Sequence, residues 1–320
     1  MTIAILGGGA FGTALASVYA ADGQDIWLWS RSSHHTKVLA RTRANPLLPE
    51  ITLDDRITPT SDINDIANAD VVLLVVPAQQ TAIMLEKFAS KIPAVPVVLC
   101  AKGIDQTTFQ TQSQIAGKFL PDHQTAILTG PGFAAEIASG MPTALTLACE
   151  DITTGKALQQ LLSTDRLRLY LTQDTIGAQL GGALKNVIAI AAGIVIGARL
   201  GESARAALLT RGFAEMRRLG TAMGGQEDTF AGLSGLGDLV LTASSKQSRN
   251  FAQGLALGAG GGKTDGVTVE GIATANAACK LADTYHVDMP ITHVVADVLS
   301  EKIDIKQAMA ALLSRPLKQE

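Results

Sequence analysis

The sequence predicts an α/β N-terminal doubly wound sheet followed by an all-α C-terminal half, and three observations carry that prediction. Apolar runs of strand length alternate with amphipathic runs of helix length over the first half. A glycine-rich turn sits where the first strand should pass into the first helix. From about residue 173 the strand signal stops, and long Ala/Leu/Ile-rich stretches with helical spacing take over.

The strand candidates are residues 3–6, 26–29, 71–75, 95–100, 126–128 and 143–147, with a short one at 167–170. Most are continuous apolar runs rather than alternating ones, which suits parallel strands covered on both faces. Between them fall helix candidates at 12–21, 34–44, 81–89, 111–119 and 153–163. Repeated βα units imply a doubly wound sheet with ligands beyond the carboxyl ends of its strands. The second half offers helices at 176–200, 204–223, 274–285 and 290–299, interrupted by glycines at 224–225, 232–237 and 258–262. The last stretch, with Lys263, reads as a mobile loop. The expected division is 1–175 for the sheet and 176–320 for the helical half.

Length and composition set bounds. The 320 residues suggest about two domains. Hydrophobic residues at 47% supply a sizeable core, and a net charge of −3 offers no general attraction to nucleic acid or anionic membranes. Cys100, Cys149 and Cys279 are far apart and form no Cys-x-x-Cys pair, and the five histidines lack ligand-spaced partners. No disulfide framework and no metal site are expected. The chain opens on a strand with no secretory pattern, and the apolar stretch 187–198 is shorter than the roughly 20 residues a membrane span needs. The expectation is a cytoplasmic protein without an integral membrane segment.

The most informative local pattern is Gly7-Gly8-Gly9-Ala10-Phe11-Gly12, a Gly-x-Gly-x-x-Gly between strand and helix. Gly7 permits the turn, Gly9 lets a diphosphate approach the backbone, and Gly12 lets helix and strand pack closely. This is the dinucleotide signature of a Rossmann-type sheet. At the end of the second strand stands Ser30-Arg31-Ser32, with no acid to accept from a ribose hydroxyl. Arg31 therefore leans toward NADP(H) and leaves NAD(H) open. Other strand ends deliver Val75-Val76-Pro77-Ala78-Gln79, then Lys102, then Gly130-Pro131-Gly132 followed by Ala134 and Glu136. Exposed amides at such glycines suit an anion.

In the helical half, Lys185 and Asn186 interrupt small and apolar neighbours. A buried lysine is costly unless paired, and burial lowers its pKa toward the range useful for proton transfer. The competing reading is a lysine near a helix end reaching out to water. Asp238 is the only charge in the stretch 231–242 and invites pairing with Lys185. Ser248-Arg249-Asn250 combines a hydroxyl, a guanidinium and an amide suited to a phosphate. Glu270 is a last isolated polar residue in this half.

Taken in order, these motifs resemble the bacterial-type NAD(P)-dependent glycerol-3-phosphate dehydrogenases over nearly the whole chain. The resemblance also draws on Asn45-Pro46, Lys102-Gly103-Ile104, Phe133-Ala134, Thr210-Arg211-Gly212, Gly235-Leu236-Gly237-Asp238 and Glu270-Gly271. It implies reversible hydride transfer between NAD(P)H and dihydroxyacetone phosphate, giving sn-glycerol 3-phosphate for glycerophospholipid synthesis. It implies Lys185 as the proton donor and acceptor, with Lys102, Gly130, Gly132, Asp238, Ser248, Arg249 and Asn250 around the substrate. Ala10, Phe11, Arg31, Lys102, Ala134, Arg249 and Glu270 are implied to touch the cofactor, together with the turn glycines Gly7, Gly9 and Gly12. A homodimer and the absence of a metal are also implied. Two positions depart from the family pattern: Gly132 replaces a usual serine, and Ser203 a common asparagine. Two rivals remain open at this level. One is a dehydrogenase of similar plan acting on 3-hydroxy acids or 6-phosphogluconate, and the other is a redox-sensing module without turnover.

Overall fold

A computed structural model describes residues 1–262 and 268–314 of the chain; Lys263, assigned above to a loop, lies outside the described residues. The chain begins with β1 (Thr2–Leu6), α1 (Ala10–Ala21), β2 (Asp25–Trp29) and α2 (Ser33–Thr42). A short antiparallel ribbon follows, β3 (Ala44–Asn45) with β4 (Leu48–Thr52), and then β5 (Ile57–Thr60). The strand–helix alternation resumes with β6 (Val71–Leu74), α3 (Thr81–Phe88), β7 (Val97–Leu99), α4 (Gln112–Phe119) and β8 (Thr125–Thr129). It closes with α5 (Ala134–Ala138), β9 (Thr143–Ala148), α6 (Ile152–Leu162) and β10 (Leu167–Thr172).

Eight of these strands form one sheet in the order β10-β9-β8-β7-β6-β1-β2-β5. Alternate residues of β1 enter opposite cores: Ile3 and Ile5 pack with α1 on one face, Ala4 and Leu6 with α3 and α4 on the other. Double coverage is why these strands read as continuous apolar runs. The sheet is not wholly parallel. β9 runs antiparallel to β8, so the last strand pair, β9 with β10, continues the sheet in the opposite sense. The order reverses between β1 and β6, which opens a crevice beyond their carboxyl ends. The ribbon and β5 had no expectation from sequence, because two-residue and proline-containing strands carry too little periodic signal.

The helical half comprises α7 (Thr175–Gly197), α8 (Glu202–Ala222), α9 (Glu227–Ala231), α10 (Asp238–Thr242), α11 (Arg249–Gly258), α12 (Glu270–Thr284), α13 (Pro290–Leu299) and α14 (Ile305–Leu313). α7 is its central post. By length and composition α7 could cross a membrane, but 89% of its most apolar window is buried inside the protein, as befits a core helix. Where glycines 232–237 suggested a break, a π-helical turn (Leu233–Gly237) feeds directly into α10. α9, α10, α11 and α14 are additional to the helices expected.

α7 and α11 meet backbone to backbone. A β-carbon on Gly254 would lie 2.0 Å from the Ile190 carbonyl oxygen, and one on Gly193 would lie 2.2 Å from that of Phe251. Only glycine permits that approach. Glu215 of α8, 1% exposed, accepts from the amides of Ile291 and Thr292 and so caps α13. Its carboxyl is raised by burial, against the pull of those hydrogen bonds.

Candidate active site

The carboxyl ends of β7 and β8 meet α7 and α10, and the ionisable cluster forms there. Lys185 lies midway along α7 and is 6% exposed, so it does not reach out to water. Its Nζ donates to Asp238 Oδ1 at 2.8 Å and to Thr242 Oγ1 at 2.5 Å. The other oxygen of Asp238 receives Lys102 Nζ at 2.7 Å, and Lys102 also donates to the Gly130 carbonyl at 2.7 Å. One carboxylate thus joins an ammonium from the sheet to an ammonium from the helical half. Asp238 itself is 1% exposed.

The electrostatics follow from burial and charge. Desolvation pulls the Lys185 ammonium down to about 8, opposed by Asp238 and reinforced by the positive charges of Lys102 and Arg249. Burial presses Asp238 toward its neutral form. The two lysines outweigh that pressure, and its carboxyl lies below the ordinary value. A lysine titrating near 8 is matched to proton transfer close to neutrality.

Thr242 was given no role from the sequence. The spacing Asp238-x-x-x-Thr242 would have revealed it, since residues four apart share a helix face. Asn186, the neighbour of Lys185 on α7, bonds elsewhere than to the amine. Its Nδ2 donates to the Lys102 carbonyl at 3.1 Å, and its Oδ1 accepts from Asn250 Nδ2 at 2.8 Å. Asn250 Oδ1 in turn accepts from the Gly271 amide at 3.0 Å. The amides therefore tie α7, α11 and α12 to the end of β7. Two glutamines complete the hold on that segment: Gln112 donates to the Gly103 carbonyl and Gln79 to that of Ile104. Three successive carbonyls without strand partners are thereby satisfied by three carboxamides.

Ser248 caps α11 by accepting from the Phe251 amide, which leaves its hydroxyl proton available. Arg249, the first residue of α11, is exposed and has no hydrogen-bond or ion-pair partner among the described residues. Glu270, at the start of α12, accepts from the Ala78 amide at the end of β6 at 3.2 Å. Burial raises its carboxyl, while Ala78 and Arg249 hold it back. Gly130 has a φ of +131°, a conformation that glycine adopts without strain. A side chain on Gly132 would press on Ile137 Cδ1 at 2.9 Å. Ala134 begins α5 beside them.

The glycine turn fits a dinucleotide diphosphate. A β-carbon on Gly7 would lie 2.5 Å from the Val75 carbonyl oxygen, and one on Gly12 would lie 1.9 Å from that of Gly7. One on Gly9 would meet nothing within 4 Å, so the space before α1 is open. α1 has no side-chain cap, and its first amides, at Ala10, Phe11 and Gly12, are free to receive an anion. Arg31, at the end of β2, is exposed and donates to Gln80 Oε1 at 3.3 Å. No group of three His, Cys, Asp or Glu side chains able to hold a metal occurs among the described residues.

Comparison with known proteins matches both halves of the chain. The family model of the NAD-dependent glycerol-3-phosphate dehydrogenase N-terminus matches residues 2–155, and that of the C-terminus matches residues 174–310. A glycerol-3-phosphate dehydrogenase [NAD(P)+] of Ruegeria sp. (strain TM1040) is 50% identical over the full length of both chains. That of Brucella ovis is 49% identical over 99% of this chain and 98% of its own. A crystal structure of glycerol-3-phosphate dehydrogenase from Coxiella burnetii superposes with a TM-score of 0.94 at 37% identity, covering 98% of this chain and 99% of that one. The Plasmodium falciparum glycerol-3-phosphate dehydrogenase, 20% identical with a TM-score of 0.87, shares the fold over all of this chain and 97% of its own. With both halves matched in order and relatives near half identity end to end, the chain belongs to the NAD-dependent glycerol-3-phosphate dehydrogenase family.

Proposed function

We propose that this protein interconverts dihydroxyacetone phosphate and sn-glycerol 3-phosphate with NAD(P)H, and that Lys185 moves the proton. We take 1–175 as the cofactor-binding unit and 176–320 as the substrate unit, with the reaction in the crevice between them. The observation that carries the reading is the buried Lys185–Asp238–Lys102 cluster at the carboxyl ends of the strands.

When bound, the reduced nicotinamide supplies hydride to the C2 carbonyl carbon of the ketone. The developing alkoxide then needs a proton, and Lys185 as ammonium polarises the carbonyl oxygen and donates it. In the reverse direction neutral Lys185 accepts the hydroxyl proton. Asp238 and Thr242 hold the amine at a fixed position, so no reorganisation is needed at the moment of transfer. Lys102 adds positive potential at the end of β7. A cofactor is held by Gly7, Gly9 and Gly12 with the amides of Ala10 and Phe11, by Arg31, and by Ala134, Arg249 and Glu270 at the mouth of the crevice.

The substrate phosphate changes no bonds. Arg249, with no partner among the described residues, can grip it, Ser248 keeps a hydroxyl proton, and Asn250 keeps its second amide hydrogen. Backbone groups at Gly130 and Gly132 border the same space. Binding energy at the phosphate is thereby converted into orientation of the carbonyl.

The test is an absorbance assay with the phosphorylated ketone and each reduced cofactor. Lys185→Ala should lower kcat by about 10² to 10⁴-fold while cofactor affinity stays within twofold. Unchanged turnover in that variant removes Lys185 from the mechanism. Equal activity on phosphate-free dihydroxyacetone removes the phosphate site.

A further inference from the structure

Two side chains outside the ionisable cluster converge on one carbonyl of the glycine turn. Nε2 of His35, from α2, lies 3.0 Å from the Gly8 oxygen, and Nδ2 of Asn45, from β3, donates to the same oxygen at 3.1 Å. Asn45 is fully buried and anchored on both sides. Its Nδ2 also reaches Thr13 Oγ1 at 2.6 Å, and its Oδ1 accepts from the Leu47 amide at 3.0 Å. Ser30 closes the space beside Gly8, where a β-carbon would lie 1.9 Å from the serine oxygen.

We propose that His35 and Asn45 are positioning residues for the cofactor, which lock the Gly8–Gly9 peptide with its carbonyl inward and its N–H toward the crevice. A trans peptide is planar, so the Gly8 C=O and the Gly9 N–H point in opposite directions. Holding the oxygen against α2 and β3 aims the next amide at the open space before α1, where Gly9 has no atom within 4 Å of a β-carbon position. The lock has a physical reason. Glycines flank this peptide on both sides, and glycine passes between conformations at little steric cost. Without outside donors the peptide can flip, and a flipped peptide presents a carbonyl oxygen where an anion must sit.

The inference rests on the glycine turn binding the cofactor diphosphate. Because NADH and NADPH share that group, losing the lock must weaken both equally, unlike a change at Arg31.

The experiment titrates NADH and NADPH by nicotinamide fluorescence into the intact wild-type protein, His35→Leu, His35→Gln, Asn45→Leu and the double leucine variant. One hydrogen bond to the carbonyl is worth roughly 5-fold in affinity, so each leucine variant should weaken both cofactors by about that factor and the pair by roughly 30-fold. His35→Gln restores an amide nitrogen near the position of Nε2 and should stay within twofold of wild type. The cofactor KM should rise in step while kcat at saturation is kept, a split that loss of general stability does not produce. His35 is only half-buried, so its variants keep the test open if Asn45→Leu does not fold. A wild type that binds neither cofactor overturns the reading of the turn itself. A wild type that binds, with His35→Leu unaltered or with His35→Gln as weak as His35→Leu, overturns the lock alone.

Discussion

Asp238→Asn isolates what the shared carboxylate does to Lys185. Two unit charges 2.8 Å apart attract by about 6 kcal/mol at an effective dielectric of about 20, which is the ceiling for the Lys185 contact. Breaking one side of a buried pair typically costs 3–5 kcal/mol. The asparagine keeps an oxygen for Nζ, so the lower end, about 3 kcal/mol, applies, and at about 1.4 kcal/mol per pKa unit that is a fall of about two. What remains is desolvation together with the repulsion of Lys102 and Arg249, all acting downward. The lysine should therefore titrate near 6 in place of about 8. At pH 7 the ammonium fraction drops from about nine-tenths to about one-tenth, and reductive kcat/KM falls by about tenfold or more. The assay is a pH profile of reductive kcat/KM from pH 5 to 9, which reports groups on the free enzyme. In wild type the rate should be high below about 8 and lost as pH rises through it, with the oxidative direction rising over the same interval. An inflection that stays near 8 in Asp238→Asn refutes the coupling.

Two further outcomes follow from geometry. Arg249→Ala, at an exposed guanidinium with no partner among the described residues, should raise KM for the phosphorylated ketone at least tenfold by removing a charge-assisted contact, with thermal stability unchanged; an unaltered KM places the phosphate elsewhere. Gly254→Ala forces a β-carbon within 2.0 Å of the Ile190 carbonyl and should cost about 1–3 kcal/mol, read as a lowered Tm. The same variant moves the α11 N-terminus, so KM for the phosphate ester should rise as well.

The fold was legible because its determinants are local. Continuous apolar runs, the Gly-x-Gly-x-x-Gly turn and the shift to helical periodicity near residue 173 are each read within a short window. The reversal of β9 was not legible, since an apolar strand carries no mark of its direction. For the site, isolated charges in apolar stretches marked Lys185 and Asp238, because burying an unpaired charge is expensive. Arg249 was marked by its neighbours Ser248 and Asn250. What these residues touch could not be read in the same way. Lys102 and Lys185 share one carboxylate 136 and 53 residues away along the chain, and no spacing rule reaches that far.

The sequence by itself thus determined which residues must be buried and which turn is shaped to suit an anion, since hydrophobic periodicity and the freedom of glycine act locally. Only the tertiary structure decided that Asn186 serves the β7 end rather than the lysine, that Thr242 completes the amine's shell, and that His35 and Asn45 grip the Gly8 carbonyl. Hydrogen bonds are satisfied by whatever the fold brings within about 3 Å, and that proximity is a property of packing rather than of sequence order.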